Sequence, residues 1–285
     1  MAGTSEWAVA RPAPALRPFV AHYVGYRQTG QPPSVHRGLP SPHLTLVLTL
    51  DEPLVVTAHA DPAQPPGAYG ALLGGLHTRP VLIAQGSTSA GVQVSLHPTA
   101  ARALLGLPAG ELASLDLPAD AVLGPDADRL RDQLAVATTW EQRFGVLDRA
   151  LLARLGRGAR RLAPPQVLHA WQCLLASGGR VRVDELVAGT GWSARHLGTV
   201  MRRETGLTPK TAARVVRFER ARREVARRGG TDLAGVAATA GYADQSHLDR
   251  DFRAFSGLPP SRWWEQEFRN VQALPDVEAA GSPHD

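Results

Sequence analysis

The second half of this 285-residue chain repeats itself at a fixed offset of 51 residues, and that duplication restricts the fold more than any other feature. Leu197, Met201, Gly206, Leu207 and Pro209 recur as Leu248, Phe252, Gly257, Leu258 and Pro260, and Arg202 recurs as Arg253. Upstream of each copy a short apolar segment ends at a glycine. Val183 to Thr190 precedes Gly191-Trp192-Ser193, and Asp232 to Ala240 precedes Gly241-Tyr242-Ala243. The chain therefore carries two copies of one supersecondary unit.

Each conserved element of the copies has a physical job in a helix-turn-helix. A small or apolar residue must sit where the two helices cross, here Val187 and Ala237. A residue free to take positive φ must stand at the sharp turn, here Gly191 and Gly241. The second helix then needs apolar residues on its inner side only. Leu197 and Met201, or Leu248 and Phe252, are four apart and share a face. The outward positions are polar: Arg195, His196, Thr199, Arg202 and Arg203 in one unit, and Gln245, Ser246, His247, Asp249, Arg250 and Arg253 in the other. Trp192 and Tyr242 read as turn-packing aromatics, and Trp263 and Trp264 as anchors of a last helix.

Between the units, Thr211 to Arg228 reads as one helix with Val215, Phe218, Ala221, Arg222 and Val225 along its apolar stripe. Such a spacer is about 27 Å long at 1.5 Å per residue. It would set two outward faces roughly one DNA turn, ~34 Å, apart. Charge points the same way. Residues 1–156 hold 11 Arg against 12 acids, whereas residues 157–270 hold 20 Arg plus Lys against 11 acids, so the net of +9 in this region far exceeds the +5 of the whole chain. Clustered arginine is what phosphate contact requires.

Residues 166–269 resemble the DNA-binding domain of the AraC/XylS family of transcription regulators. The resemblance rests on Asp232-Leu233-Ala234, Ala237, Gly241-Tyr242, Asp244-Gln245-Ser246-His247-Leu248, Arg250, Phe252, Gly257 and Pro260, and it covers a little over a third of the chain. It implies two units, at about 183–206 and 232–257, placed in adjacent major grooves of double-stranded DNA. Where relatives carry long polar residues on the first recognition helix, this chain has Gly198 and Thr199, so Arg195 and His196 are left as base readers there. Gln245, Ser246, His247 and Arg250 lead in the second unit, because glutamine and arginine make bidentate contacts to adenine and guanine edges. Arg202, Arg203 and Arg253 fit phosphates.

The expected fold class is a two-domain α+β chain, with a β-rich, barrel- or sandwich-like domain plus helices over residues 1–156, a linker at 157–165, the all-α domain at 166–269 and a disordered tail at 270–285. In the first domain Leu44–Leu50 and Leu54–Thr57 flank Asp51-Glu52-Pro53, which suggests a hairpin. Ala71–Leu76, Val81–Ala84 and Val92–Leu96 read as further strands. Thr99 is a candidate N-cap for Ala100–Leu105, and helices follow at Asp126–Ala137 and Trp140–Leu155. This half loosely resembles the sensor domains that precede the module in family members. Arg37, His43, His77 and Gln93 are its candidate ligand-pocket residues.

Six histidines in the first half invite a metal reading, but no pair has the i, i+4 spacing of a helical metal site, so neither metal nor cofactor is expected. An enzyme carrying a DNA-binding module, such as an alkyl-transfer repair protein, would need a reactive thiolate. The lone Cys173 lies on an apolar stretch of the first helix of the second domain, beside Leu174 and Leu175, so no enzymatic activity is expected. No run approaches the roughly 18 apolar residues of a spanning helix. A cytoplasmic, nucleoid-associated protein is expected, with a small-molecule effector, a second copy of the chain and RNA polymerase as candidate partners besides DNA.

Overall fold

The computed structural model describes residues 3–158 and 162–268. The expected tail, residues 270–285, and most of the expected linker's central stretch lie outside the described residues. Ten strands build the first domain: β1 (Thr4–Ala10), β2 (Val20–Thr29), β3 (Ser34–Gly38), β4 (Leu44–Thr49), β5 (Leu54–Ala58), β6 (Gly67–Tyr69), β7 (Ala71–Gly74), β8 (Val81–Gln85), β9 (Thr88–Leu96) and β10 (Asp116–Pro118). They form two antiparallel sheets. One has the order β1-β2-β9-β4-β7-β10 and the other the order β3-β8-β5-β6.

The expected hairpin between β4 and β5 does not form. β4 pairs with β9 on one side and β7 on the other, while β5 pairs with β6 and β8 in the second sheet. The reason is burial. Leu44, Leu46, Val47, Leu48 and Thr49 are all buried, so β4 is a central strand with no free edge to offer its successor. Asp51-Glu52-Pro53 instead carries the chain from one sheet to the other, and Asp51 Oδ1 accepts the Ala90 amide at 2.9 Å to fix the crossing.

Four short or medium helices complete the domain, the first lying between β9 and β10 and the rest after β10: α1 (Ala101–Leu104), α2 (Asp120–Leu123), α3 (Asp126–Val136) and α4 (Trp140–Gly158). Thr99 does not cap α1. It lies inside a 3-10 turn over Pro98–Ala100, where Pro98 has already fixed the helical entry, and Ala100 occupies the cap position without a side-chain bond. Phe144, Leu147 and Leu151 of α4 are buried at helical spacing, as expected. Phe144 stacks on Tyr23 with centroids 5.8 Å apart, and the Tyr23 hydroxyl donates to Asp148 at 2.9 Å.

The second domain is helical throughout its described residues: α5 (Pro165–Ala176), α6 (Val183–Thr190), α7 (Ala194–Thr205), α8 (Pro209–Arg227), α9 (Leu233–Ala240), α10 (Gln245–Ser256) and α11 (Pro260–Phe268). One apolar cluster runs without a break from Leu46 and Val94 of the sheet to Leu197, Phe218 and Phe252 of these helices. The two domains are packed together rather than strung on a linker.

Candidate nucleic-acid interface

The two units are built on matching local devices. Ser193 caps α7 by accepting the His196 amide at 3.2 Å, and Asp244 caps α10 by accepting the His247 amide at 2.7 Å. At the far ends Gly206 and Gly257 take φ of +87° and +77°. The residue before each glycine, Thr205 or Ser256, turns its hydroxyl onto the carbonyl four back, at 2.8 and 2.7 Å, and accepts the amide of Leu207 or Leu258. The same offset of 51 relates Gly178-Gly179, which ends α5's turn, to Gly229-Gly230, which ends α8's, all four at positive φ. Those pairs are visible in the sequence, and they extend the duplication to the helix ahead of each unit.

The copies are not identical. Gly191 and Gly241 both occupy the left-handed turn position, at φ +68° and +85°. From the glycine, however, the cap of the next helix is two residues on in the first unit and three on in the second. Ala237 is buried together with Val236; in the first unit Leu186 is buried and Val187 is half-buried, packed against the same core.

Arg195, His196, Thr199, Arg202 and Arg203 are exposed on α7, and Gln245, Ser246, Arg250 and Arg253 on α10, while Leu197, Met201, Leu248 and Phe252 are fully buried beneath them. His247 is half-buried. Both histidines lie edge-on to the turn aromatic of their own unit, His196 to Trp192 at 4.6 Å and His247 to Tyr242 at 5.0 Å between centroids. The Thr199 hydroxyl donates to the Arg195 carbonyl at 3.0 Å, so it is engaged within its own helix.

Helix α8 fixes the units to each other. Phe218 meets Phe252 and Phe255 with centroids 5.0 Å away in each case. Arg217 donates to the Gly179 carbonyl at 3.1 Å on the first unit's side and lies over the Tyr242 ring, 5.4 Å from its centroid, on the second's. Trp263 of α11 is buried against Phe252, as expected for an anchor.

Sequence reasoning missed the contacts between domains. Arg102 of α1 donates twice to Glu204 of α7, at 2.6 and 3.0 Å. Glu267 of α11 bonds His36 Nδ1 at 2.9 Å and accepts the Arg37 amide at 3.1 Å. Burial pushes the Glu204 and Glu267 carboxyls up, but Arg102 and Arg203 for the first, and His36 and Arg37 for the second, hold them below the ordinary carboxylate range. A signal existed: Glu204 continues the inward row Leu197, Met201, and an acid on that row demands a partner.

The four candidate pocket residues fall in four different places. Arg37, on β3, lines a cleft of about 480 Å³ shared with Arg262 and Glu265 of α11. His43 precedes β4 and joins His22 and His97, with ring centroids 6.0 and 5.2 Å apart. His77 follows β7 and bonds the Arg79 carbonyl at 2.5 Å, and Gln93 lies mid-strand in β9 opposite Val47 and Val24. His59 is buried against Asp116 at 2.7 Å. Among the described residues, no group of three His, Cys, Asp or Glu is arranged to hold a metal ion.

Taken together, fold and site define a two-domain chain, a β-sandwich-like domain packed on a duplicated helix-turn-helix module. Residues 186–266 match a helix-turn-helix domain family, and residues 8–118 match a domain family of unknown function, DUF6597. The module matched at 186–266 is an AraC-type helix-turn-helix domain. No curated protein is significantly similar in sequence. Among solved structures, ToxT from Vibrio cholerae O395 is similar at 11% identity, with a TM-score of 0.51 over 94% of this chain and 99% of that one. A second ToxT structure from Vibrio cholerae gives 11% and 0.51 over 92% and 98%. At that identity the likeness establishes the two-domain fold. The AraC-like activator CuxR aligns over 74% of this chain and 84% of its own, at 14% identity and a TM-score of 0.33. No helix of the described residues is long and apolar enough to cross a membrane.

Proposed function

We propose that this chain binds double-stranded DNA sequence-specifically by inserting α7 and α10 into adjacent major grooves, and that its first domain modulates that binding. The observation that carries the reading is the pair of exposed polar faces, Arg195 to Arg203 and Gln245 to Arg253, on equivalent scaffolds joined through α8. A joint of this stiffness fixes the separation of the two faces, which is what reading two successive grooves requires. Gln245, Ser246 and Arg250 read bases, Arg202 and Arg253 hold phosphates, and His196 and His247, steadied by their aromatic neighbours, present one ring edge to the groove.

The modulating ligand is a small polar molecule, and the cleft between β3 and α11 supports that reading because Arg37 and Arg262 line it beside Glu265. Selection from a random duplex pool with the full chain tests the DNA reading: recovery of a bipartite site with half-sites one helical turn apart is expected. A pool that remains random after repeated selection overturns it.

A further inference from the structure

Helix α7 carries a carboxylate where its packing calls for an apolar group. Leu197, Met201 and Glu204 form one inward row, and the Glu204 side chain is fully buried. A carboxylate taken out of water persists only if cations compensate it. Two do so here, one from each domain. Arg102 approaches side-on and donates from Nε to Oε2 at 2.6 Å and from Nη2 to Oε1 at 3.0 Å. Arg203, next to Glu204 in sequence, donates from Nε to Oε1 at 2.9 Å. No hydrogen bond from the Arg203 Nη atoms is found among the described residues, and 61% of its side chain remains exposed.

The backbone around this carboxylate is gripped by the first domain as well. At Gly110 a Cβ would stand 2.2 Å from the Arg203 carbonyl oxygen and 2.6 Å from that of Arg202, so the 3-10 turn over Ala109–Leu112 is seated on the last turn of α7. A Cβ at Gly206 would meet the Ala113 methyl at 2.9 Å.

We propose that Arg102 is a positioning residue for DNA binding: its bidentate hold on Glu204 leaves Arg203 one bond to make there and frees the far end of that guanidinium for a DNA phosphate. The inference rests on the DNA reading above. Bidentate pairing is the strongest geometry a carboxylate can be offered. When Arg102 is absent, Arg203 is the remaining cation on a buried anion, and it turns its Nη atoms inward to replace the lost pair. The first domain thus sets whether an arginine of the first recognition helix faces solvent, through a contact that is itself 32% exposed at Arg102 and open to displacement.

The test uses the full-length protein on a duplex recovered by selection, with affinity followed against salt concentration. R203Q is expected to flatten the slope of log affinity against log salt by about one ion. R102Q is expected to flatten it equally, with affinity down about tenfold at moderate salt. The R102Q/R203Q double variant should be no worse than R203Q alone. R102K retains the charge but one bond fewer, and should melt as the wild type with a slope between the two. Wild-type protein that binds no duplex overturns the DNA reading and this proposal together. A wild-type slope in R102Q, additive losses in the double variant, or lost affinity in R102K at an unchanged slope overturns the proposal alone.

Discussion

Arg214 on the linker helix and Asp251 on the second recognition helix are joined through two donors, Nη2 at 2.7 Å and Nε at 3.2 Å, both to Oδ1 of a carboxylate that is 6% exposed. The same guanidinium lies 4.9 Å from the centroid of the Phe255 ring. One side chain thereby fixes α10 both by charge and by ring contact, so the tilt of the second unit depends on α8. Replacing Arg214 by alanine leaves a buried anion unpaired. Because Arg214 is itself partly exposed, the expected loss is about 2–3 kcal/mol rather than the upper end for buried pairs. Asp251→Asn should cost less, since its neutral amide needs no counterion and Arg214 keeps access to water. Denaturant midpoints followed by circular dichroism check both; equal midpoints for the wild type and R214A would remove the pair from the structural account.

Two glycines of the module should respond in opposite directions. Gly241 sits at φ +85°, a conformation that costs a β-branched residue dearly, so Gly241→Val should destabilise by roughly 1–3 kcal/mol. Gly198 lies in the helical interior of α7 with nothing within 4 Å of the place where a Cβ would stand. Gly198→Ala should therefore stabilise by about 0.5–1 kcal/mol. A thermal melt that moves both variants the same way contradicts the assignment of one glycine to the turn and the other to the helix.

How far the sequence reached depends on where its constraints are local. Turns at Gly191 and Gly241 and the inward rows Leu197–Met201 and Leu248–Phe252 are set within a few residues, and they fold as read. The boundary of α6 is also as expected. The first domain turns on pairing between distant segments. β4 and β5 are neighbours in sequence yet belong to different sheets, because the partners of β4 come from β7 and β9. In strand β2 the buried residues Val20, Tyr23, Gly25 and Gln28 do not alternate, because the register shifts between Val20 and His22 and a polar side chain stands among the buried ones, so no period-2 signal shows in the sequence. Arg102 and Glu204 are 102 residues apart, and only an acid on an apolar row hints at their meeting.

Base reading and phosphate holding predict different losses on α10 and α7. Gln245→Ala or Arg250→Ala should cost about 1–3 kcal/mol on a selected site and relax its sequence there, with little change on random duplex. Arg250 has the freedom to do so, because its Nε makes only a long 3.3 Å bond to the Ser246 carbonyl. Arg202→Ala should weaken specific and random binding alike and lower the salt slope by about one ion. Competition titrations against random DNA separate the two cases. Equal losses on both duplexes for the Gln245 variant would move that residue to the backbone contacts.

Acid should loosen the first domain's hold on α8 before it unfolds the helices. His22, His43 and His97 come from β2, the approach to β4 and the end of β9, and they face Glu219, Arg222 and Arg223 of α8. Burial, then the Arg223 charge, lowers His22 to about 4; burial, then the neighbouring His97 and His22, lowers His43 to about 3. Burial also lowers His97. A histidine whose folded value lies below its unfolded one binds its proton more readily in the unfolded chain. Stability from this cluster is therefore complete above roughly pH 6.5 and is lost as pH falls from there toward 4. At about pH 5 the loss reaches as much as about 2 kcal/mol for each of His22 and His43. Glu219, held down to about 2 by Arg222 and Arg223 against the upward push of burial, loses its own contribution as pH falls from the ordinary carboxylate value toward 2, so between pH 7 and pH 5 the histidines act alone. His43→Gln keeps a polar side chain without a proton to gain and should flatten the melting temperature between about pH 7 and pH 5. If the wild type melts at one temperature across that interval, the three imidazoles are not held neutral by the packing of the two domains.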